Sequence, residues 1–270
     1  MTTMVGEPAA GGPSTRAPSQ FFMFSTSNFA DPGARDGVRA VLSRHTTERD
    51  YLSAHVLREF PEIGQRVARA RRYVLPTSVA EVQRESAKGC GADTPGLILY
   101  NGEHWPGTPT NEQADLPAAI ARAKEFAAGS GCHEFGVAPD GAFAGISPAT
   151  CSYALDSAIH RLIDWTGVAL FDVQAQSLLS DRCNATAGVA AYVAFVSAIA
   201  RDVRKNANPP SIVAQLSFRH TPPERMATAI QALRGVVDGF YIAYPINVGP
   251  ACKYCSPDNL EKVMTDIRSD

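Results

Sequence analysis

The sequence lacks a hydrophobic run long enough to cross a membrane, and it lacks a block of like charge. A transmembrane helix needs roughly 18 or more apolar residues in a row, and no such run occurs in the 270 residues. The first twenty residues lack the apolar segment of a signal peptide. Because 25 Lys and Arg nearly balance 27 Asp and Glu, we expect a cytoplasmic protein that binds neither membranes nor nucleic acid.

Several motifs that mark cofactor and catalytic sites are also absent. No predicted strand is followed by G-x-G-x-x-G or a P-loop, and the sequence contains no H-E-x-x-H, G-x-S-x-G or EF-hand loop. The sequence therefore gives no direct signature of a dinucleotide, a nucleotide or a zinc protease. The leading interpretation needs no cofactor.

Cysteine is present but gives only one suggestive spacing. In a reducing compartment, cysteines are expected to be mostly free thiols. Cys252 and Cys255 form a lone C-x-x-C, whereas a structural zinc site normally needs four ligands. A zinc site, a disulfide and a loop staple all stay open. The six cysteines are Cys90, Cys132, Cys151, Cys183, Cys252 and Cys255.

The chain divides into a short tail and one large domain. Residues 1–20 are rich in Gly, Pro, Ser and Ala, which predicts a flexible tail. Within residues 21–270, no change in composition and no internal repeat marks a second domain. Hydrophobic residues make up 45% of the chain. That amount of apolar sequence is enough for one sizeable core.

Apolar runs typical of strands alternate with helical patterns. The predicted strands are Phe21–Ser25, Tyr73–Pro76, Leu97–Tyr100, Glu134–Ala138, Ala169–Gln174, Ser211–Phe218 and Phe240–Tyr244. The predicted helices are Leu116–Ala128, Tyr153–Trp165, Gly188–Asn206, Pro223–Val236 and Asn259–Arg268. Such alternation predicts parallel strands joined by right-handed crossovers. We expect an α/β (β/α)₈ TIM-like barrel whose eighth strand is irregular, missing or hidden between Ser25 and Tyr73. A doubly wound open sheet is the alternative.

Alternation within the strands predicts a polar barrel interior. Along residues 170–176, Asp172, Gln174 and Gln176 share one face and the apolar residues share the other. The apolar face suits the outer helices, so the polar side chains should point inward. By the same rule Asn101 and Glu103 face inward beyond the predicted strand Leu97–Tyr100. Buried polar groups cost roughly 1–3 kcal/mol each unless they are hydrogen-bonded, which indicates a site or an internal network.

The segment from Tyr100 to Gln113 is the densest candidate for chemistry. Glu103 and His104 are potential acid/base groups, and Trp105 offers a stacking surface. Glu112, near the following helix, is interpreted as a surface charge. Asp140 extends the inward register of the next strand, so three carboxylates are expected at neighbouring strand ends.

Further side chains are predicted to bind the substrate. Arg219 ends a strand and, pointing inward, suits a carboxylate or phosphate group of a ligand. Its alternative is an internal salt bridge. Tyr241 is expected to face inward, with Tyr244 and Asn247 close behind it.

Four segments together resemble a little-characterised, glycoside-hydrolase-like group of actinobacterial TIM-barrel proteins. The segments are E-H-W-P-x-T-P-x-x-E-Q at Glu103–Gln113, D-x-Q-A-Q-S-L at Asp172–Leu178, V-D-G-F-Y at Val237–Tyr241 and the C-x-x-C. The resemblance covers roughly Leu97 to the C-terminus and implies a carboxylate-bearing barrel. Many members of that group are exported, whereas this sequence shows no signal, which implies an intracellular, biosynthetic role. The glycoside hydrolase signature D-x-x-D-x-D-x-E is absent.

Three functions fit these residues. The leading hypothesis is an enzyme that uses Glu103 and Asp172 for acid/base hydrolysis of a glycosidic-type bond. In the second, the three carboxylates hold Mg²⁺ and the arginine binds the phosphate of a lyase, cyclase or transferase substrate. The third is a non-catalytic barrel whose tryptophan and two tyrosines form a ligand platform. Each predicts a small-molecule partner, and the oligomeric state stays open.

Overall fold

Parallel strands close into a barrel in the computed structural model, which describes residues 20–26, 29, 31–143, 145–155, 159–245 and 252–269. The strands are β1 (Phe21–Thr26), β2 (Tyr51–Ser53), β3 (Arg72–Val74), β4 (Leu97–Tyr100), β5 (Glu134–Val137), β6 (Ile146–Ser147), β7 (Ser152–Tyr153), β8 (Val168–Val173), β9 (Ser211–Ser217) and β10 (Gly239–Tyr244). Eight of them form the barrel in the order β1-β10-β9-β8-β5-β4-β3-β2, and β6 and β7 form a separate antiparallel hairpin. Apart from Gln20, the predicted tail lies outside the described residues.

Helices follow most barrel strands and cover the outside of the barrel. They are α1 (Pro32–His45), α2 (Ala54–Glu59), α3 (Pro61–Gly64), α4 (Val79–Ser86), α5 (Thr110–Ala114), α6 (Leu116–Gly129), α7 (Ala185–Val203), α8 (Pro223–Leu233) and α9 (Pro257–Arg268). Side-chain caps accept hydrogen bonds from the first turns of α4, α7 and α9, through Ser78, Asn184 and Ser256. These caps fix where each helix leaves the loop that carries the strand end.

The predicted (β/α)₈ barrel is confirmed, and its eighth strand lies inside the interval where it was expected. That strand is β2, which pairs with β1 and β3 over two residue pairs on each side. By contrast, β1 pairs with β10 along six residues. Three residues are too few to show an alternating pattern, so this strand is defined by its neighbours rather than by its own sequence.

The strand faces divide the buried residues into an interior cluster and an outer layer. The interior cluster contains apolar side chains from seven of the strands, among them Met23, Tyr73, Leu99, Val213 and Tyr241. The outer layer packs strand residues of the opposite parity, such as Phe171 and Val173, against the helices. The predicted parity of β4, β8 and β9 is therefore confirmed.

A buried ion pair closes the barrel between its first strand and its last helix. The side chain of Asp50 is fully buried and accepts hydrogen bonds from the Phe22 backbone N–H at 2.9 Å and the Thr47 N–H at 2.7 Å. Arg268 of α9 pairs with the same carboxylate and donates to the Gln20 carbonyl at 3.1 Å. Because the buried charge is paired and hydrogen-bonded, it is tolerated in the core.

The predicted helix from Tyr153 to Trp165 is wrong over the residues that the structure describes there. Tyr153 belongs to the β6–β7 hairpin, and Ile159–Arg161 forms a short 3₁₀ turn. The apolar residues that suggested a helix are used differently. Tyr153 packs edge-on against Phe195 of α7 at 5.2 Å, and Trp165 packs against a strand residue, Phe171, at 4.8 Å between ring centroids.

The prediction of free thiols is also wrong. The cysteines form three disulfides, Cys90–Cys132, Cys151–Cys183 and Cys252–Cys255. The first two join residues 42 and 32 positions apart, and the second ties the β6–β7 hairpin to the loop before α7. The C-x-x-C pair is closed on itself, so its sulfurs are not thiolate ligands for zinc.

Although the sequence has no unbroken apolar run of that length, one helix in the described part of the chain, α7, is long and apolar enough by length and composition to cross a membrane. Its buried side chains, including Tyr192, Phe195 and Val196, pack on the barrel. Length and composition of this kind are also those of a helix that packs on a protein core, so they do not mark α7 as a membrane segment.

Candidate active site

Three neighbouring strands deliver the predicted carboxylates to the carboxyl end of the barrel. β4, β5 and β8 are adjacent, and Glu103 and Asp140 follow the first two. Asp172 lies near the end of β8. In TIM barrels the active site is built from the loops at this end of the strands.

Glu103 is held by a short relay of amide side chains. The Asn101 Nδ2 donates to Glu103 Oε1 at 2.6 Å, and the Gln174 Nε2 donates to Asn101 Oδ1 at 2.7 Å. Gln174 Nε2 also donates to the Ala138 carbonyl at 2.8 Å, which fixes its orientation. The Glu103 N–H donates to Thr108 Oγ1 at 3.1 Å. The relay points the Glu103 carboxyl at a defined position in the barrel mouth, as the inward parity of all three polar residues predicts.

Burial raises the pKa of Glu103 above its ordinary value, and the negative charge of Asp140 raises it further. The hydrogen bond from Asn101 opposes these effects because it stabilises the charged carboxylate. Glu103 is only partly buried, so the carboxyl can still meet a ligand from the mouth. A partly exposed carboxyl that keeps its proton to higher pH is suited to act as a general acid.

Asp172 lies deeper in the barrel and is 0% exposed. No described residue donates a hydrogen bond to either of its carboxyl oxygens. Burial raises its pKa well above the ordinary value, and the charge of Glu103 adds to that effect. An isolated ionised carboxylate in such a place would cost far more than a neutral one, so burial favours the protonated, uncharged form of this carboxyl.

His104 and Asp140 form a second polar pair at the rim of the mouth. The His104 N–H donates to Asp140 Oδ2 at 3.2 Å, and its ring Nδ1 lies 3.8 Å from the same oxygen. The imidazole stacks on Phe143 with 3.7 Å between ring centroids. Both side chains stay substantially exposed. The structure therefore brings His104 next to Asp140, a pairing that the sequence did not predict.

Trp105 presents its indole to solvent beside this pair. It is 46% exposed, which is unusual for a tryptophan. A Cβ atom on Gly107 would lie 2.7 Å from a ring carbon of Trp105, so the loop needs glycine at that position to let the ring lie against it. The exposed ring is available for stacking against a flat apolar face of a ligand.

The two tyrosines of β10 have opposite positions. Tyr241 faces the interior, where its hydroxyl lies 2.8 Å from Ser25 Oγ and its ring packs edge-on against Tyr73. Tyr244 is 1% exposed and lies in the outer layer between Phe24 and Phe218. The predicted substrate contact of Tyr244 is wrong because an odd spacing from Tyr241 turns its side chain to the helices.

Gln176 and Arg219 leave the barrel interior. β8 ends at Val173, and Gln176 begins a 3₁₀ turn, so the strand alternation no longer applies to it. Arg219 lies beyond the end of β9 and is exposed. Among the described residues it forms no salt bridge with Asp172 or Glu103. The inward placement of both residues is therefore wrong, and they instead line a cleft beside the mouth.

Glu112 and Asn247 complete the sequence candidates. Glu112 is 6% exposed and accepts hydrogen bonds from the Val79 N–H at 3.0 Å and the Tyr100 hydroxyl at 2.8 Å. It is thus a buried anchor for the start of α4, and its interpretation as a surface charge is wrong. Asn247 lies outside the described residues.

No three His, Cys, Asp or Glu side chains in the described part of the chain converge in a way that could hold a metal ion. Glu103, Asp140 and Asp172 do not form such a group. Asp172 is moreover buried with a raised pKa, and a protonated carboxyl is a poor ligand for Mg²⁺. The residues therefore do not fit the predicted magnesium site.

Comparisons with known proteins add little to this geometry. No protein-family model and no curated protein matches the sequence. Similar solved structures include tryptophan synthase subunit alpha from Legionella pneumophila str. Paris, at 10% identity and a TM-score of 0.49 over 92% of each chain. Another is the carboxyl transferase domain of Rhizobium etli pyruvate carboxylase, at 12% identity and a TM-score of 0.44 over 92% of this chain and 46% of that one. These similarities are too remote to indicate an activity.

Proposed function

We propose that the protein is a barrel enzyme that hydrolyses a glycosidic-type bond by acid/base catalysis, with Glu103 as the proton donor. The observation that carries this proposal is the environment of Glu103. Its carboxyl is oriented by the Asn101–Gln174 relay, reachable from the mouth, and has a raised pKa. Protonation of the leaving oxygen is the step in glycoside hydrolysis that requires such a group.

The other carboxyls support Glu103 in different ways. Asp140 is the second carboxyl at the rim, and it is the candidate to activate water or to stabilise positive charge on the sugar ring. His104 holds Asp140 in place. Asp172, predicted as the acid/base partner, is fully buried and its pKa is raised by that burial, so we assign it to the layer beneath Glu103 rather than to direct contact with the substrate. Trp105 supplies a stacking face for a sugar ring.

The test compares Glu103→Gln with the native protein on a panel of nitrophenyl and alkyl glycosides. Loss of a general acid typically lowers the rate by about 10²–10⁴-fold. We expect the loss to be larger on alkyl glycosides, because their leaving groups need the proton more than nitrophenolate does. A variant that merely perturbs the fold would lower both rates equally.

Glu125→Gln is a matched control, because Glu125 is an exposed residue of α6 outside the site. It should leave all rates unchanged. Full turnover by Glu103→Gln on both substrate types would overturn the assignment. If the native protein cleaves none of the glycosides, the proposed reaction is wrong. Ligand binding without turnover would favour the non-catalytic barrel.

We further propose that the protein works in an oxidising compartment rather than in the cytoplasm. The support is the three disulfides, a type of bond that is rare in reducing compartments. Protein isolated from its native cells without reductant, and alkylated at once, should carry no alkylated cysteine. Six alkylated cysteines would contradict the proposal.

A further inference from the structure

A cleft of 320 Å³ opens beside the barrel mouth, where β8 and β9 end. It is lined by polar side chains that the acid/base proposal leaves unused. They include Gln176, Ser177, Arg182, Ser217, Arg219 and His220. The cleft therefore combines concave shape with two guanidinium groups and an imidazole, which is the chemistry that binds oxyanions.

Within the described part of the chain, the positive charges of the cleft have no counter-ion. Among the described residues, no carboxylate or carbonyl pairs with the guanidinium of Arg182 or Arg219. The nearby carboxylate, Asp181, is already engaged by Lys253 at 2.6 Å and by the Tyr254 hydroxyl at 3.2 Å. Two unpaired arginines in one cleft attract an external anion.

The pKa of the His220 imidazole reflects the positive charge of the same cleft. Its pKa is lowered first by burial and then by the charges of Arg182 and Arg219, with a smaller lowering from Lys253 and an opposing effect of Asp181. Both arginines therefore lie close enough to His220 to act on one site. An anion bound between them would offset this repulsion.

Gln176 lines the cleft and is close along the chain to the relay that holds Glu103. Its Oε1 is buried and accepts no hydrogen bond from any described residue, and the residue lines the cleft. Two positions earlier, Gln174 supports the relay to Glu103. The Cα atoms of Gln174 and Gln176 can be at most about 7 Å apart. The cleft and the relay that holds Glu103 therefore both begin at the carboxyl end of β8.

We propose that this cleft binds an anionic group of the substrate, a carboxylate, sulfate or phosphate, while the bond to be broken lies at Glu103. The proposal rests on the proposed function for the second half of that statement. It makes the substrate an acidic sugar derivative rather than a neutral glycoside. Arg182 and Arg219 bind the oxyanion, and His220 and Ser217 line its site.

Calorimetry and NMR of the His220 ring test the cleft directly at pH 7. The probes are sodium sulfate, sodium glucuronate and glucose, which lacks the carboxylate of glucuronate. We expect both anions to bind and to raise the pKa of His220, and glucose to do neither. Because a hydrogen bond to a charged group contributes about 1.5–3 kcal/mol, Arg182→Ala and Arg219→Ala should each weaken binding about tenfold or more. The double variant should abolish it.

Arg201→Ala is the matched control, since Arg201 is exposed in the last turn of α7 and lies outside the cleft. It should bind both anions normally. Arg219→Lys, which keeps the charge but loses the fork, should bind with intermediate affinity. If the double variant binds sulfate and glucuronate as tightly as the native protein does, the proposal is wrong. It is also wrong if the native protein binds glucose as tightly as glucuronate.

Failure of this inference and failure of the proposed function can be told apart. Glu103→Gln should bind sulfate normally because it leaves the cleft intact. If Glu103→Gln keeps full turnover while the cleft binds anions as expected, only the acid/base proposal fails. If anion binding is absent while Glu103→Gln is inactive, only the anionic substrate is excluded.

Discussion

Replacement of Asp172 by Asn should stabilise the protein, and the gain should grow with pH. Asp172 is fully buried, and no described residue donates a hydrogen bond to its carboxyl oxygens. Burial therefore keeps the proton on this carboxyl to higher pH in the folded chain, whereas in the unfolded chain it ionises near its ordinary pKa. Asparagine has nearly the same shape and never ionises, so Asp172→Asn removes this difference between the two states.

The sign and size of the effect follow from proton linkage. A folded-state pKa raised above the unfolded value gives stability that is complete below the unfolded pKa of about 3.8. It is lost as pH rises towards the folded pKa. In that window the folded state holds one more proton than the unfolded state, so the free energy of unfolding falls by about 1.4 kcal/mol per pH unit. Between these two pKa values, Asp172→Asn should therefore gain stability on the native protein by about 1.4 kcal/mol for each pH unit.

Urea unfolding at pH 4.5, 5.5 and 6.5, without reductant, measures this gain. Glu103 also has a raised pKa, but it is present in both proteins, so the difference isolates Asp172. Asp164→Asn is the control. A hydrogen bond from Lys124 lowers the pKa of Asp164 to about 2, so its stability effect is lost only below this pH range. The free energy of unfolding of Asp164→Asn should therefore change with pH in the same way as that of the native protein. A constant difference between Asp172→Asn and the native protein would refute a neutral buried carboxyl.

Two further predictions concern proton transfer and the anchor of α4. If Glu103 is the general acid, activity should fall as pH rises through its raised pKa, and this limb of the pH–rate profile should be missing in Glu103→Gln. If Glu103→Gln still loses activity over the same pH range, another group causes the loss. Glu112→Ala leaves the Val79 N–H and the Tyr100 hydroxyl buried without an acceptor, so the free energy of unfolding should drop by about 2–6 kcal/mol. Glu112→Gln should lose less of the free energy of unfolding. If Glu112→Ala is as stable as the native protein in urea unfolding, Glu112 is not an anchor.

Strand alternation predicted the site where the strands are regular and failed where they end. Asp172 and Gln174 follow the alternation of β8, and both face inward as predicted. Gln176 follows the same numerical parity, but the chain has turned into a 3₁₀ helix by then. Arg219 fails for the same reason beyond β9. Parity is a property of extended backbone, so it carries no information past the last strand residue.

Other features depend on contacts that a sequence does not display. The disulfide Cys151–Cys183 requires the hairpin and the start of α7 to meet, and neither segment predicts the other. Arg182 joins the cleft through the same loop, and its sequence neighbours give no signal of that position. Tyr244 is different. An odd spacing from Tyr241 already predicts an outward side chain, so strict use of the alternation would have excluded it.

The polar interior divides into groups that the protein satisfies and groups that it leaves open. Gln174 donates a hydrogen bond to Asn101, and Asn101 donates one to Glu103, so both are positioning residues. Asp172 accepts no such bond from the described residues, although an asparagine or an apolar residue of similar size would avoid the cost of burying a carboxyl. Stability alone gives no reason for an acidic side chain at that position. A protonated carboxyl, however, is a hydrogen-bond donor, which an apolar residue is not. The described residues offer this carboxyl no hydrogen-bond partner, so its burial is a cost that the packing of the barrel does not explain.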